Sequence, residues 1–243
     1  MNIIERILAE KANLPVVTAG DRVTLQPSVW YISEKNLLSI INNFYELGFE
    51  RVKSTDVIVE MEQEGATSEQ KEMENFCKLQ GVKVVLKGSD DCCEILAKNQ
   101  YNLNELVVVG NDKSIAAVGE HGAIAHIVSN STMAKSLGTG KVETVVPEVI
   151  YIDIIGNFSQ GVRQSSIGSY LIDYFRDSLI GTGIIVGGSA IEDLTQEGKT
   201  SITTFFQLAG ISFGIISPYG PQGQVDSVIK IKAHMIYLNN TVK

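Results

Sequence analysis

Apolar residues recur at helical spacing at Ile3, Ile4, Ile7 and Leu8, which predicts a short opening helix that ends before Pro15. After the turn Ala19-Gly20-Asp21, Val23 and Leu25 alternate with polar neighbours as in a strand. Ser33 stands as the cap of a second helix with the stripe Leu37, Ile40, Ile41, Phe44 and Leu47, stopped by Gly48. Residues 56–60 (DVIVE) predict a strand. Thr67-Ser68-Glu69-Gln70 has capping-box spacing and opens a helix that Gly81 closes. The alternation continues with a strand at 82–86, a short helix at 90–98 and a strand at 105–109 that runs into Gly110. Residues 119–138 read as helical, broken near Ser129-Asn130-Ser131.

The style changes near 141–148. A longer alternating strand covers 148–155, and Ile167, Tyr170, Leu171, Tyr174 and Phe175 mark a helix within 162–178. Residues 181–194 are glycine-rich and extended, 195–209 helical, and 211–217 again a strand. A Pro/Gly linker at 218–224 leads into the alternating strand 225–232. Short strands separated by helices predict an α/β protein with largely parallel or mixed sheets covered on both faces. The expected division is a first α/β domain over 1–145 and a second over 146–243 that ends in a returning strand.

Composition narrows the partners. At 243 residues, 44% hydrophobic and 20% charged, the chain carries enough apolar material for a real core. Its formal charge of −8 repels phosphate backbones, so nucleic acid and anionic lipid are not expected partners. The longest apolar runs, such as 107–109 and 184–186, fall far short of the ~20 residues a bilayer requires. Cys77, Cys92 and Cys93 make a poor disulfide framework, and the N-terminus lacks the order of a secretory signal. Both features point to a reducing, cytoplasmic setting.

Candidate chemistry is sparse. The glycines at 181, 183, 187 and 188 bracket an apolar strand instead of leading into a helix, so they read as a turn and a bulge and not as a phosphate loop. His121 and His126 would lie ~140° apart on a helix, which does not make a metal pair. His234 has no partner nearby in sequence, and the adjacent Cys92 and Cys93 read as buried thiols in a short helix, so no metal is expected. Asp112, Lys113 and Ser114 follow a buried strand at the edge where open α/β sheets place ligands, and they offer an acid, an ammonium and a hydroxyl.

Three stretches carry a resemblance. Residues 3–21 (IIERILAEKANLPVVTAGD), 137–163 (LGTGKVETVVPEVIYIDIIGNFSQGVR) and 182–218 (TGIIVGGSAIEDLTQEGKTSITTFFQLAGISFGIISP) resemble the large subunit of isopropylmalate dehydratase and homoaconitase, in the aconitase family. The likeness runs in register from residue 3 to about 231, and the order of pieces such as Thr139-Gly140-Lys141 and Val146-Pro147-Glu148 makes it specific. It implies three-layer α/β/α domains. It also implies dehydration and rehydration of hydroxy-di- and tricarboxylates over a four-iron, four-sulfur cluster held by three cysteines.

The resemblance likewise implies that the site is degenerate. The family's Asp-His pair falls on Met61 and Glu62, and its Gly-Ile-Cys-His on Asp90-Asp91-Cys92-Cys93, which puts Cys93 in place of the histidine. Gly-x-Asp-Ser-His-Thr falls on residues 110–115, keeping Asp112 but placing Lys113 and Ser114 where serine and histidine belong. An earlier His-Asp-x-Thr segment falls near Trp30-Tyr31-Ile32-Ser33. The family's cluster ligands lie in a third domain beyond the strand matched by 227–232, so that domain and the cluster are expected to be absent from this polypeptide. Losing several acid–base and Lewis-acid groups, each worth ~10² to 10⁴ in rate, should abolish dehydratase turnover by this chain alone.

The first expected role is a binding or scaffold subunit, either as a homo-oligomer or joined to another aconitase-family chain. The alternatives are one component of a split hydro-lyase, with Asp112, Lys113 and Ser114 lining a shared cleft, and a small-carboxylate sensor that uses turn amides and helix N-termini.

Overall fold

A computed structural model describes residues 1–236 other than 55, 63–66, 89, 177 and 212. The opening helix α1 spans Ile3–Ala12 and starts with a reciprocal cap: Glu5 N–H donates to Asn2 Oδ1 at 3.0 Å, and Asn2 N–H to Glu5 Oε2 at 2.9 Å. Its stripe of Ile3, Ile4, Ile7 and Leu8 is buried, as the periodicity predicts. Strand β1 (Arg22–Leu25) pairs antiparallel with β7 (Val142–Val145).

The first large sheet contains β2 (Val29–Ser33), β3 (Val57–Met61), β4 (Lys83–Leu86), β5 (Val107–Gly110) and β6 (Ile124–Ile127). Their spatial order is β4-β3-β2-β5-β6 with every pairing parallel. Helices α2 (Glu34–Glu46), α3 (Ser68–Gln80) and α4 (Cys92–Lys98) and a 3-10 helix over Lys113–His121 connect these strands, and α5 (Asn130–Thr139) leads from β6 to β7. The second sheet has the parallel order β10-β9-β8-β11, formed by β8 (Val149–Ile155), β9 (Gly183–Gly187), β10 (Phe213–Ile216) and β11 (Ser227–Lys232). Helices α6 (Ser166–Phe175) and α7 (Gln196–Leu208) cover it. The protein is therefore an α/β fold of helices flanking parallel sheets.

Three local expectations change. Strand β2 carries the continuous run Val29, Trp30, Tyr31 and Ile32, buried on both faces, so it shows no alternation to read. Within 119–138 the pattern is not one helix: Gly122, at φ +78°, ends the 3-10 helix, and residues 124–127 extend as β6 beside β5. Ala123 and Ala125 are small and buried, which suits a strand in a two-sided layer but reads as helical by propensity. Leu47 does not share the buried stripe of α2; it lies past the last turn and is 49% exposed.

The two large sheets meet across a tight seam. Gly119 of the 3-10 helix lies so close to β10 that a Cβ there would stand 2.3 Å from the Gly214 carbonyl oxygen. A single apolar core also joins α1, the first sheet and Tyr151, Ile185 and Phe213 of the second.

Candidate functional site

The carboxyl ends of the parallel strands in the first sheet face α7 across a cleft of about 340 Å³. Glu60 at the end of β3, Lys87 just past β4, and Asp90, Asp91 and Cys92 at the start of α4 form one wall. Ser114, Ala117 and Glu120 of the 3-10 helix form the floor, and Thr200, Thr203, Thr204 and Gln207 present a polar face of α7 opposite. The 3-10 helix is long for its type, and its tight turns carry Gly119 into the seam while setting Glu120 towards α7.

The cleft is acidic. Carboxylates of Glu60, Asp90, Asp91 and Glu120 line it, with Lys87 as the ammonium among the lining residues. Tyr31 Oη donates to Glu60 Oε2 at 3.0 Å, and burial first, then the Glu60 charge, pushes that phenol far above its usual pKa. Gln196 Nε2 donates to both oxygens of Glu120, at 3.0 and 3.1 Å. Lys87 lies 3.8 Å from Glu62, whose backbone N–H donates to Glu34 Oε2. Cys92 Sγ points at the Ser114 carbonyl at 3.9 Å, and Gln207 Nε2 donates to the same oxygen at 3.4 Å. The hydrogen bond with Cys93 and burial hold the Cys92 thiol well above its ordinary pKa, so it stays protonated. Burial, chiefly, with the Glu74 charge does the same to Cys77, pushing it up to about 12 against a backbone hydrogen bond that lowers it.

The candidate residues from the sequence are only partly brought together. Asp112 caps the 3-10 helix and accepts the Ser114 N–H at 2.8 Å. Burial works against its charge, but the Ser114 hydrogen bonds, aided by Lys35 and Lys87, prevail and hold the carboxyl below its usual pKa. Lys113 and Ser114 are exposed, and of these three residues Ser114 alone is among those lining the cleft. Met61 is buried in the core beneath, whereas Glu62 is exposed. Cys92 and Cys93 are buried thiols at the start of a short helix, and Cys77 is a third free thiol, on α3.

His121 and His126 do not meet. His121 ends the 3-10 helix, while His126 is buried in β6 and stacks on Phe213. The structure instead gathers Cys93, Glu120 and His121, whose ligand atoms all lie within 4.8 Å of one another. Nothing in the sequence marks this group, because Cys93 sits on a different helix from the adjacent pair Glu120-His121. Among the described residues, no helix is long and apolar enough to cross a membrane.

No family model matches the chain. A probable methanogen homoaconitase large subunit from Methanothermobacter thermautotrophicus is 25% identical over 231 residues, covering 90% of this chain and 54% of that protein. The 3-isopropylmalate dehydratase large subunit 2 of Methanopyrus kandleri is 22% identical over 244 residues, covering 96% of this chain and 60% of its own length. The chain thus spans little more than half the length of these curated relatives. Among solved structures, the holo-form of Thermococcus kodakaraensis aconitase X overlays with a TM-score of 0.48 at 12% identity, over 95% of this chain and 63% of that one. Along nearly its whole length the chain is similar to large subunits of the isopropylmalate dehydratase and homoaconitase type.

Proposed function

We propose that this chain works as a non-catalytic subunit, built of two α/β units divided near residue 145 and assembled with another aconitase-family chain, a second copy of itself included. The observation that carries the reading is the state of the positions matched to the family's site. Asp112 is tied to its own helix as a cap, Met61 is core, and Cys92 is held as a thiol against a backbone carbonyl. None of the three is placed to move a proton on a substrate in the cleft.

Electrostatics weigh against the two anion-binding readings. A di- or tricarboxylate entering the cleft would meet Glu60, Asp90, Asp91 and Glu120, with Lys87 to attract it. Both the carboxylate sensor and the split hydro-lyase require the opposite balance. The subunit role draws support from the outer edge of β4, which pairs on one side with β3 and leaves Val84 and Leu86 39% and 50% exposed. An open edge strand with apolar side chains is a ready surface for another chain.

Sedimentation velocity on the full chain tests this reading, alone and co-expressed with an aconitase-family partner. A dimer or larger species that Leu86→Lys returns to monomer is the expected result. A monomer at every concentration, indifferent to such partners, would overturn it.

A further inference from the structure

We propose that Cys93, Glu120 and His121 form a mononuclear site for zinc(II) or a similar borderline divalent cation, a function separate from the subunit role. Three observations converge on it. The Cys93 sulfur, a Glu120 oxygen and a His121 nitrogen lie within 4.8 Å of one another, and thiolate, carboxylate and imidazole are the donors that zinc takes in tetrahedral sites. Glu120 is already aimed: its side chain is 5% exposed, Gln196 Nε2 holds both its oxygens, and His121 Nε2 stands 3.2 Å from Oε1. Such a donor behind a ligating carboxylate is the outer-shell support metal sites use to fix ligand direction. Finally, Glu120 lines the cleft beside the carboxylates of Glu60, Asp90 and Asp91, a field that draws a cation in.

The fit requires only a small contraction. Bond lengths near 2.0–2.3 Å place neighbouring donors of a tetrahedron about 3.3–3.8 Å apart, so the group must close by roughly 1 Å. The His121 side chain, 40% exposed, has room to make that movement. On binding, the Cys93 S–H bond breaks, its proton leaves to solvent, and a thiolate–metal bond forms with no change of oxidation state. Three protein donors leave a fourth position for water, as in open zinc sites. The ion would clasp α4 to the end of the 3-10 helix, and Gln196 would couple that clasp to the first turn of α7.

Cobalt(II) and zinc(II) titrations of the chelator-treated full chain test this. Cobalt is expected to bind at one equivalent, with thiolate-to-metal absorption in the near ultraviolet and intense tetrahedral bands in the visible, both displaced by zinc. Cys93→Ser should abolish the near-ultraviolet band and Cys77→Ser should leave it unchanged. His121→Ala, on an exposed residue that the fold does not need, should weaken zinc binding tenfold or more. Gln196→Ala should weaken it about tenfold while keeping the spectrum. Absence of the cobalt spectrum in the native chain, its survival in Cys93→Ser, or unchanged affinity in His121→Ala would overturn the proposal.

Discussion

The imidazole of His126 on β6 stacks on the ring of Phe213 at the start of β10, centroids 5.2 Å apart and planes 20° from parallel. The contact joins the first sheet to the second through a group that must stay neutral to remain there. Burial lowers the His126 pKa to about 4, opposed only in part by the Glu143 backbone. In the unfolded chain the same imidazole titrates near 6.5. Between these values the unfolded state binds more protons, so stability is complete above about pH 6.5 and falls as the pH drops towards 4. The total loss is roughly 3 kcal/mol. Urea unfolding followed by Trp30 fluorescence at pH 7.5, 6 and 5 should show this decline, and His126→Phe, which keeps the stack and removes the proton site, should flatten it. Equal pH slopes in the two proteins would refute the assignment.

A second prediction concerns the seam at Gly119. A methyl group there would stand 2.3 Å from the Gly214 carbonyl oxygen and 3.3 Å from Phe206, so Gly119→Ala must force the 3-10 helix off β10. Overpacking of this kind costs about 1–3 kcal/mol. Gly88→Ala, where the nearest atom is 4.0 Å away, should change stability by less than about 0.5 kcal/mol. Thermal melts of both variants decide the point.

Trp30 offers a third. Its indole Nε1–H donates to Ser136 Oγ at 2.6 Å in the core between β2 and α5. Ser136→Ala strands that buried donor and should cost about 1–3 kcal/mol, with a shift in tryptophan emission. An unchanged denaturation midpoint would mean the indole finds another acceptor.

Asp112 separates a capping role from a ligand-binding one. As the cap of the 3-10 helix, Asp112→Ala should cost about 0.5–2 kcal/mol and Asp112→Asn distinctly less, because the amide oxygen can still accept the Ser114 N–H. Its carboxyl is held below the usual pKa, so its contribution is present above the ordinary carboxylate range and fades as the pH falls through that lowered value. Calorimetry with malate or isopropylmalate should give no heat difference between Asp112→Asn and the native chain.

Much of the fold is legible along the chain because it rests on local periodicity and caps. The stripe of α1 and the Thr67–Gln70 box of α3 are each written within a few residues, and both form as read. Strand β2 and residues 124–127 were obscured for one reason: strands buried on both faces show neither alternation nor a helical stripe. The candidate site was less legible. Asp112, Lys113 and Ser114 sit at the expected sheet edge, but whether a carboxylate faces a cleft or its own backbone depends on the 3-10 helix that follows. Cys93 meets Glu120 and His121 only through the packing of α4 on that helix, which no spacing records.

Turnover is the most direct test of the proposed function, that a framework similar to the aconitase-type large subunits works here as a non-catalytic subunit. The full chain, treated anaerobically with iron and sulfide, is offered isopropylmalate and homocitrate, and the unsaturated product is followed by ultraviolet absorbance. A rate indistinguishable from the protein-free control is expected; conversion by this polypeptide unaided would contradict the account.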